Sequence, residues 1–147
     1  MASTPAGADG FHDRALSLQA TAIGRPGAQR EELTRLVLDG AKVATTSVLA
    51  DYAELGEPVP VAGESFALLG PGDEPVAIIE LTEVLIRRFD AVDDRHAVEE
   101  GEGFVTAEAW RAQHLAEWPH LAPDSLVVLE RFRVVEVAPR DAAEDLD

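Results

Sequence analysis

The chain has 147 residues, a length that fits one domain with its own buried core. It contains no cysteine, which excludes a disulfide framework and thiolate chemistry, and its longest apolar runs, such as residues 126–129, fall far short of the roughly 20 residues of a membrane span. A formal net charge of -16 argues against a long polynucleotide partner, because phosphate backbones are held by Lys and Arg, and favours small ligands of little charge.

Residues 1–10 are small, polar and Pro/Gly-containing and are expected to be mobile. They show no basic stretch leading into an apolar one, so the cytoplasm is the expected compartment. Residues 16–23 read equally as a short strand or a helical turn, and Pro26-Gly27 ends them. Over residues 28–39, Leu33, Leu36 and Val37 recur at helical spacing, and Gly40 stands where a glycine closes a helix. Residues 43–49, β-branched and Thr-rich, predict a strand, followed by the rigid connection Gly56-Glu57-Pro58-Val59-Pro60. Two apolar runs, 65–69 and 76–87, flank the turn-rich segment 70–75 and predict a hairpin whose second arm is long enough to bend and serve two sheets. Residues 90–100 read as helix, and Thr106 can cap a further helix that runs through Trp118 and stops at Pro119. Residues 126–137 form the last strand, and the acidic run from Arg140 to Asp147 is expected to be mobile. The plan is a single α+β domain over 11–137 with a mixed or antiparallel sheet, between flexible segments 1–10 and 138–147.

Of the twelve basic residues, eleven are arginines and one is Lys42. Only an ammonium can lose its proton near neutral pH through burial and neighbours, so the single lysine is a natural centre for chemistry. Because Gly40 ends a helix, Lys42 lies in a connection and Thr45 near the start of a strand, which lets side chains meet that an unbroken strand would send to opposite faces. Such a lysine can serve as base or oxyanion stabiliser, and the hydroxyl as nucleophile or water-orienting group. The plainer alternative is a solvated Lys beyond a helix C-terminus and a Thr chosen for β propensity. Glu99, Glu100 and Glu102 compete as acid partner. Glu102 is preferred, because Gly101 and Gly103 beside it permit a tight backbone and the close approach of a ligand, with Glu100 second and a solvated helix end the alternative for each. Trp110, His114 and Trp118 recur every four residues as one stripe, more often core than a platform for a base; Trp110, nearest the Gly-rich loop, is the favoured stacking residue. Arg111 beside it can pair with a carboxylate of the site or a phosphate, or lie on the surface. His12, His96 and His120 have no Cys or carboxylate at a metal-ligand spacing, so neither a metal nor another cofactor is expected. Glu80 and Glu130, inside apolar runs, are expected to be satisfied core or rim carboxylates.

Three elements in order carry a family resemblance: Gly40-Ala41-Lys42-Val43-Ala44-Thr45 after an amphipathic helix, Glu100-Gly101-Glu102-Gly103 before Trp110-Arg111-Ala112-Gln113-His114, and the closing Glu130-Arg131-Phe132-Arg133-Val134. Together they resemble the ASCH domain family over roughly residues 28–137. The resemblance implies a PUA-like mixed β-barrel with flanking short helices and a central cleft between them. It also implies a link to RNA or modified nucleosides, some members being amidohydrolases of N4-acylated cytidines and others ribonucleases. The resemblance implies that the catalytic carboxylate lies in the stretch of Glu99, Glu100 and Glu102; taken with the reading of the residues above, Lys42, Thr45 and Glu102 are the expected catalytic residues and Gly40, Glu100, Trp110, Arg111 and His114 the expected binding residues. The expected activity is hydrolysis of the amide of an acylated nucleoside; the alternatives are a non-catalytic RNA- or nucleotide-binding or regulatory module, or a ribonuclease acting on short single-stranded RNA. The expected partner is a small nucleoside-like ligand or short RNA, with no long duplex and no membrane.

Overall fold

The computed structural model describes residues 6–139, and the expectations placed on residues 1–5 and 140–147 lie outside the described residues. In chain order the elements are α1 (Ala6–Leu16), β1 (Ala20–Thr21), α2 (Ala28–Leu38), β2 (Ala44–Val48), α3 (Leu49–Leu55), β3 (Ser65–Leu69), β4 (Pro75–Arg88), a 3-10 turn (Phe89–Ala91), α4 (Asp94–Glu99), α5 (Ala107–Glu117) and β5 (Leu126–Val137). α1 starts inside the segment expected to be mobile, and the ambiguous stretch 16–23 resolves into the end of α1 and the two-residue β1. The expected helix over 90–100 divides into the 3-10 turn and α4, which begins where the Asp93 side chain accepts from the His96 N–H at 3.0 Å. α3 was not expected. It buries no residue and has no side-chain cap, and Gly56, left-handed at φ 69, closes it.

The five strands form one mixed sheet in the order β1-β3-β4-β5-β2, with β1 parallel to β3 and every other pair antiparallel. The expected closed barrel is therefore corrected to an open sheet, whose edges are the two-residue β1 and the five-residue β2. The long strands supply the curvature. Ala77–Glu80 of β4 lie between β3 and the C-terminal half of β5, whereas Val127–Arg131 of β5 lie between β2 and the C-terminal half of β4. The register shift between Leu81 and Glu83 falls where one arrangement hands over to the other, as a bulge that bends a strand does, and a further shift lies between Ile78 and Ile79 within the first arrangement.

Both faces are covered. Leu33 and Val37 of α2 pack with Leu81 and Phe132 on one face, while Trp110 of α5 and Ala97 of α4 pack with Val127 and Leu129 on the other. α1 covers that second face further along, through Phe11 and Ala15 against Ala67 and Ile78. With α2 and α5 on opposite faces, the edge strand β2 is left between them, and the cleft opens there.

Candidate functional site

α2 closes at Gly40, φ 83, and the N–H groups of Ala41 and Lys42 both donate back to the Leu36 carbonyl at 3.0 Å. The chain then runs against the loop that follows α4. Val43 N–H donates to the Glu99 carbonyl at 2.9 Å, and a Cβ on Gly101 would lie 2.3 Å from the Ala41 carbonyl oxygen. Gly101 thus admits the backbone of residue 41, not a ligand, and it does so in the left-handed region at φ 73.

This approach sinks Lys42 to 1% exposure. Its ammonium donates to the Glu100 carbonyl at 3.2 Å and to Glu102 Oε2 at 3.0 Å, with Glu100 Oε1 at 3.9 Å. Among the described residues that leaves one of its three N–H donors without a hydrogen-bond acceptor. The Glu102 side chain is partly exposed, whereas Glu100 is buried.

Glu100 anchors a polar cluster under the cleft. Its Oε2 accepts from Thr46 Oγ1 at 2.5 Å and lies 3.0 Å from His96 Nε2, which is itself 2.7 Å from Thr46 Oγ1. The Thr46 proton is given to the carboxylate, so proton accounting places the His96 proton on Nε2. On the other oxygen of Glu100, His114 Nε2 lies at 3.6 Å, while His114 Nδ1 donates to the Trp110 carbonyl at 2.8 Å. Burial by itself would raise the Glu100 pKa. The hydrogen bond from His96, the Lys42 ammonium, Thr46 and, last, the Trp110 indole outweigh it and push the carboxyl down to about 2. The indole Nε1 makes no well-formed hydrogen bond, which fits its last place in that order.

Lys42, Thr45, Thr46, Glu100, Glu102 and His114 line one cleft of about 390 Å³. Ile23 and Leu33 bound it from the α2 side and Glu117 and Trp118 from the end of α5, with Glu117 held by Gln29 at 3.3 Å and Arg25 at 3.8 Å. Thr45 pairs with Glu130 and Thr46 with Leu129, so their side chains take opposite faces, and both reach the cleft because it wraps the β2 edge. No hydrogen bond joins Lys42 to Thr45 among the described residues. Of the lining charges, Arg25 and Lys42 are cations and Glu100, Glu102 and Glu117 are carboxylates.

Several expected site residues lie elsewhere. Trp110 is fully buried, its ring 4.1 Å from His114 and 5.5 Å from Phe89, so it cannot stack on a ligand. The stripe turns from core to cleft along α5, and of the two tryptophans it is Trp118 that lines the cleft, beside His114. Arg111 donates to the Val92 carbonyl at 2.9 Å and braces the turn before α4. Gly40 serves the chain reversal and does not line the cleft. His96, set aside for want of a carboxylate partner, has one at i+4, Glu100, although among the described residues no set of three or more side chains suited to a metal ion occurs. Glu80 pairs with Arg133 at 2.8 Å on the rim. Glu130 lies beside the Ser47–Tyr52 hydroxyl pair, where burial raises its pKa and pushes Tyr52 up to about 12.

A family model described as ASCH domain matches residues 19–136. The chain belongs to the ASCH domain family. Two solved structures are similar to this ASCH domain. One is a protein of Enterococcus faecalis V583 placed in the family model DUF984, at 27% identity and TM-score 0.75 over 95% of this chain and 90% of that one. The other is an ASCH domain from Lactobacillus crispatus JV V101, at 24% identity and TM-score 0.75 over 91% of this chain and 97% of that one. No curated protein matched. No helix among the described residues is long and apolar enough to cross a membrane.

Proposed function

We propose that this ASCH domain binds a modified nucleoside in the β2-edge cleft and hydrolyses an amide on it, an N4-acylated cytidine being the fitting substrate. The observation that carries the reading is the buried Lys42 ammonium 3.0 Å from Glu102, with Thr45 on the same cleft. Lys42 already acts as a donor, to a carbonyl and a carboxylate, which suits an oxyanion stabiliser better than a base. Glu102, partly exposed, then takes a proton from water as the water oxygen bonds to the acyl carbon. Collapse breaks the C–N bond, and the proton passes to the leaving amino group. The products are a carboxylic acid and the free nucleoside. Thr45 orients the water or the acyl oxygen, and Trp118 offers a face to the base. Three carboxylates against two cations weigh against a phosphate-rich ligand, so the nucleoside is favoured over RNA.

The test is release of cytidine from N4-acetylcytidine. Glu102→Gln should lower turnover by about a hundredfold to ten-thousandfold, the usual loss for one positioned acid or base, measured below a melting temperature determined for the variant itself, since the change also removes a partner of the buried Lys42. Full turnover by folded Glu102→Gln would remove the carboxylate from the mechanism. Saturable binding by the parent with no product would replace hydrolysis by recognition alone.

A further inference from the structure

On the far side of His96 from the cleft, a smaller cavity of about 160 Å³ opens over Leu85 and Leu129. Strand register builds it: Glu83, Leu85 and Arg87 share one face of β4, and across β5 Glu83 pairs with Arg131 and Leu85 with Leu129. Three guanidinium groups, of Arg87, Arg95 and Arg131, line it against two carboxylates, Glu83 and Asp93. Cations exceed anions by one. The β2-edge cleft has one excess anion, and the groove beside α3 has three acidic side chains and no Lys or Arg. Glu99, just outside the lining, pairs with both Arg95 and Arg131, so this cavity is close to charge-balanced where the other two are acidic, in a chain of net charge -16.

Its donors have unused capacity. Arg131 is held by Glu83 at 2.8 Å and Glu99 at 2.5 Å, yet its Nε is buried without a hydrogen-bond partner. Arg95 reaches Glu99 through one nitrogen at 3.5 Å, and Arg87, among the described residues, donates to the Ile86 carbonyl at 2.9 Å and meets no carboxylate. Asp93 is occupied in capping α4. Planar guanidinium forks bind carboxylates and phosphates through paired N–H groups, and a small cavity with an apolar floor limits the guest to a compact anion.

We infer that this cavity is a binding site for a small oxyanion, a phosphate or a carboxylate, gripped by Arg87 and Arg95 against the fixed wall of Arg131. The site stands independently of hydrolysis in the neighbouring cleft. It adjoins that cleft through His96, which lines the cavity and bonds Thr46 and Glu100.

The full chain is titrated separately with inorganic phosphate and with acetate at low ionic strength, with chloride as reference, following the His96 ring resonances by NMR and the heat of binding by calorimetry. One saturable site is expected for at least one of the two anions, and the one that binds distinguishes phosphate from carboxylate. Arg87→Ala and Arg95→Ala, both at exposed positions, should each weaken binding roughly tenfold, the usual effect of losing a charge-assisted hydrogen bond. Arg88→Ala should change nothing, since Arg88 pairs with Asp90 outside the cavity. The inference is overturned if neither anion moves the His96 signals saturably, or if Arg87→Ala binds as tightly as the parent.

Discussion

Replacing Glu100 by Gln tests the buried charge cluster directly. The Glu100 carboxyl ordinarily titrates at 4.5 and in the folded chain is held down to about 2. At about 1.4 kcal/mol for each tenfold change in proton affinity, that difference corresponds to about 3 kcal/mol of stability. The sign follows from the direction. A depressed folded-state pKa gives stability that is fully present above 4.5 and is lost as the pH falls towards 2. Glu100→Gln leaves the Lys42 ammonium, 1% exposed, without one of its two carboxylates, and breaking a buried pair in this way costs about 3–5 kcal/mol. Urea unfolding of parent and variant, compared at about pH 7 and about pH 3, isolates this group from the other acidic residues. The stability gap between the two should narrow by about 2 kcal/mol between those pH values, because at about pH 3 the Glu100 carboxyl is protonated in the unfolded chain and folding must expel that proton, which the amide never binds. A gap below about 1 kcal/mol at neutral pH, or one that does not change with pH, would refute the account of Glu100 as an ionised anchor.

The two loop glycines separate close approach from backbone strain. Gly101→Ala combines a left-handed φ of 73 with a Cβ 2.3 Å from the Ala41 carbonyl oxygen and should cost more than about 2 kcal/mol in urea unfolding, while Gly103→Ala, at φ 98 with nothing within 4 Å, should show strain alone, about 1 kcal/mol. In the N4-acetylcytidine assay, Lys42→Arg should retain more rate than Lys42→Ala if the ammonium acts as a positive charge, whereas a proton-accepting role would make both equally inactive, since guanidinium does not give up its proton. Thr45→Ser should keep turnover and Thr45→Val should lose it, with melting curves showing that each variant folds; equal rates in the two would remove the hydroxyl from the mechanism.

Much of the fold was legible because its signals are local. Gly40 after Leu33, Leu36 and Val37 marked the end of α2, Thr106 and Pro119 bracketed α5, and the apolar runs around residues 70–75 marked β3 and β4. Sheet closure was not legible, because it depends on which strands become neighbours and on bulges such as that between Leu81 and Glu83, neither of which has a local signature. α3 was hidden for a related reason, since a helix that buries nothing has no apolar periodicity to read. In the site, Lys42 and Glu102 stood out through glycine punctuation and the uniqueness of the lysine. The cluster around Glu100 was passed over, although His96 and Glu100 sit four residues apart, as two groups on one helical face do. Trp110 and Trp118 shared a stripe correctly, but a stripe does not say at which residue a helix passes from core to cleft.

The buried charges are better explained by the cleft than by stability. A well-packed apolar group in place of a buried ion pair is often neutral or stabilising, so the Lys42–Glu100 pair is weak evidence for a stability role. What the cluster achieves is a difference in burial between two carboxylates on either side of Gly101. Glu100 is fixed from several directions by Thr46, His96 and the Lys42 ammonium, and Lys42 in turn is held between Glu100 and Glu102 in a 1%-exposed position. Glu102, by contrast, sits between two glycines at positive φ, of which Gly103 has nothing within 4 Å of its would-be side chain. A fixed cation stabilises a developing oxyanion without having to reorganise, whereas a carboxylate that must take a proton from water and return it to a leaving group benefits from room to move. If the cleft hydrolyses an amide as proposed, the three-residue span from Glu100 to Glu102 places a buried, fully bonded carboxylate beside a partly exposed one, with Gly101 letting the chain turn against Ala41 between them.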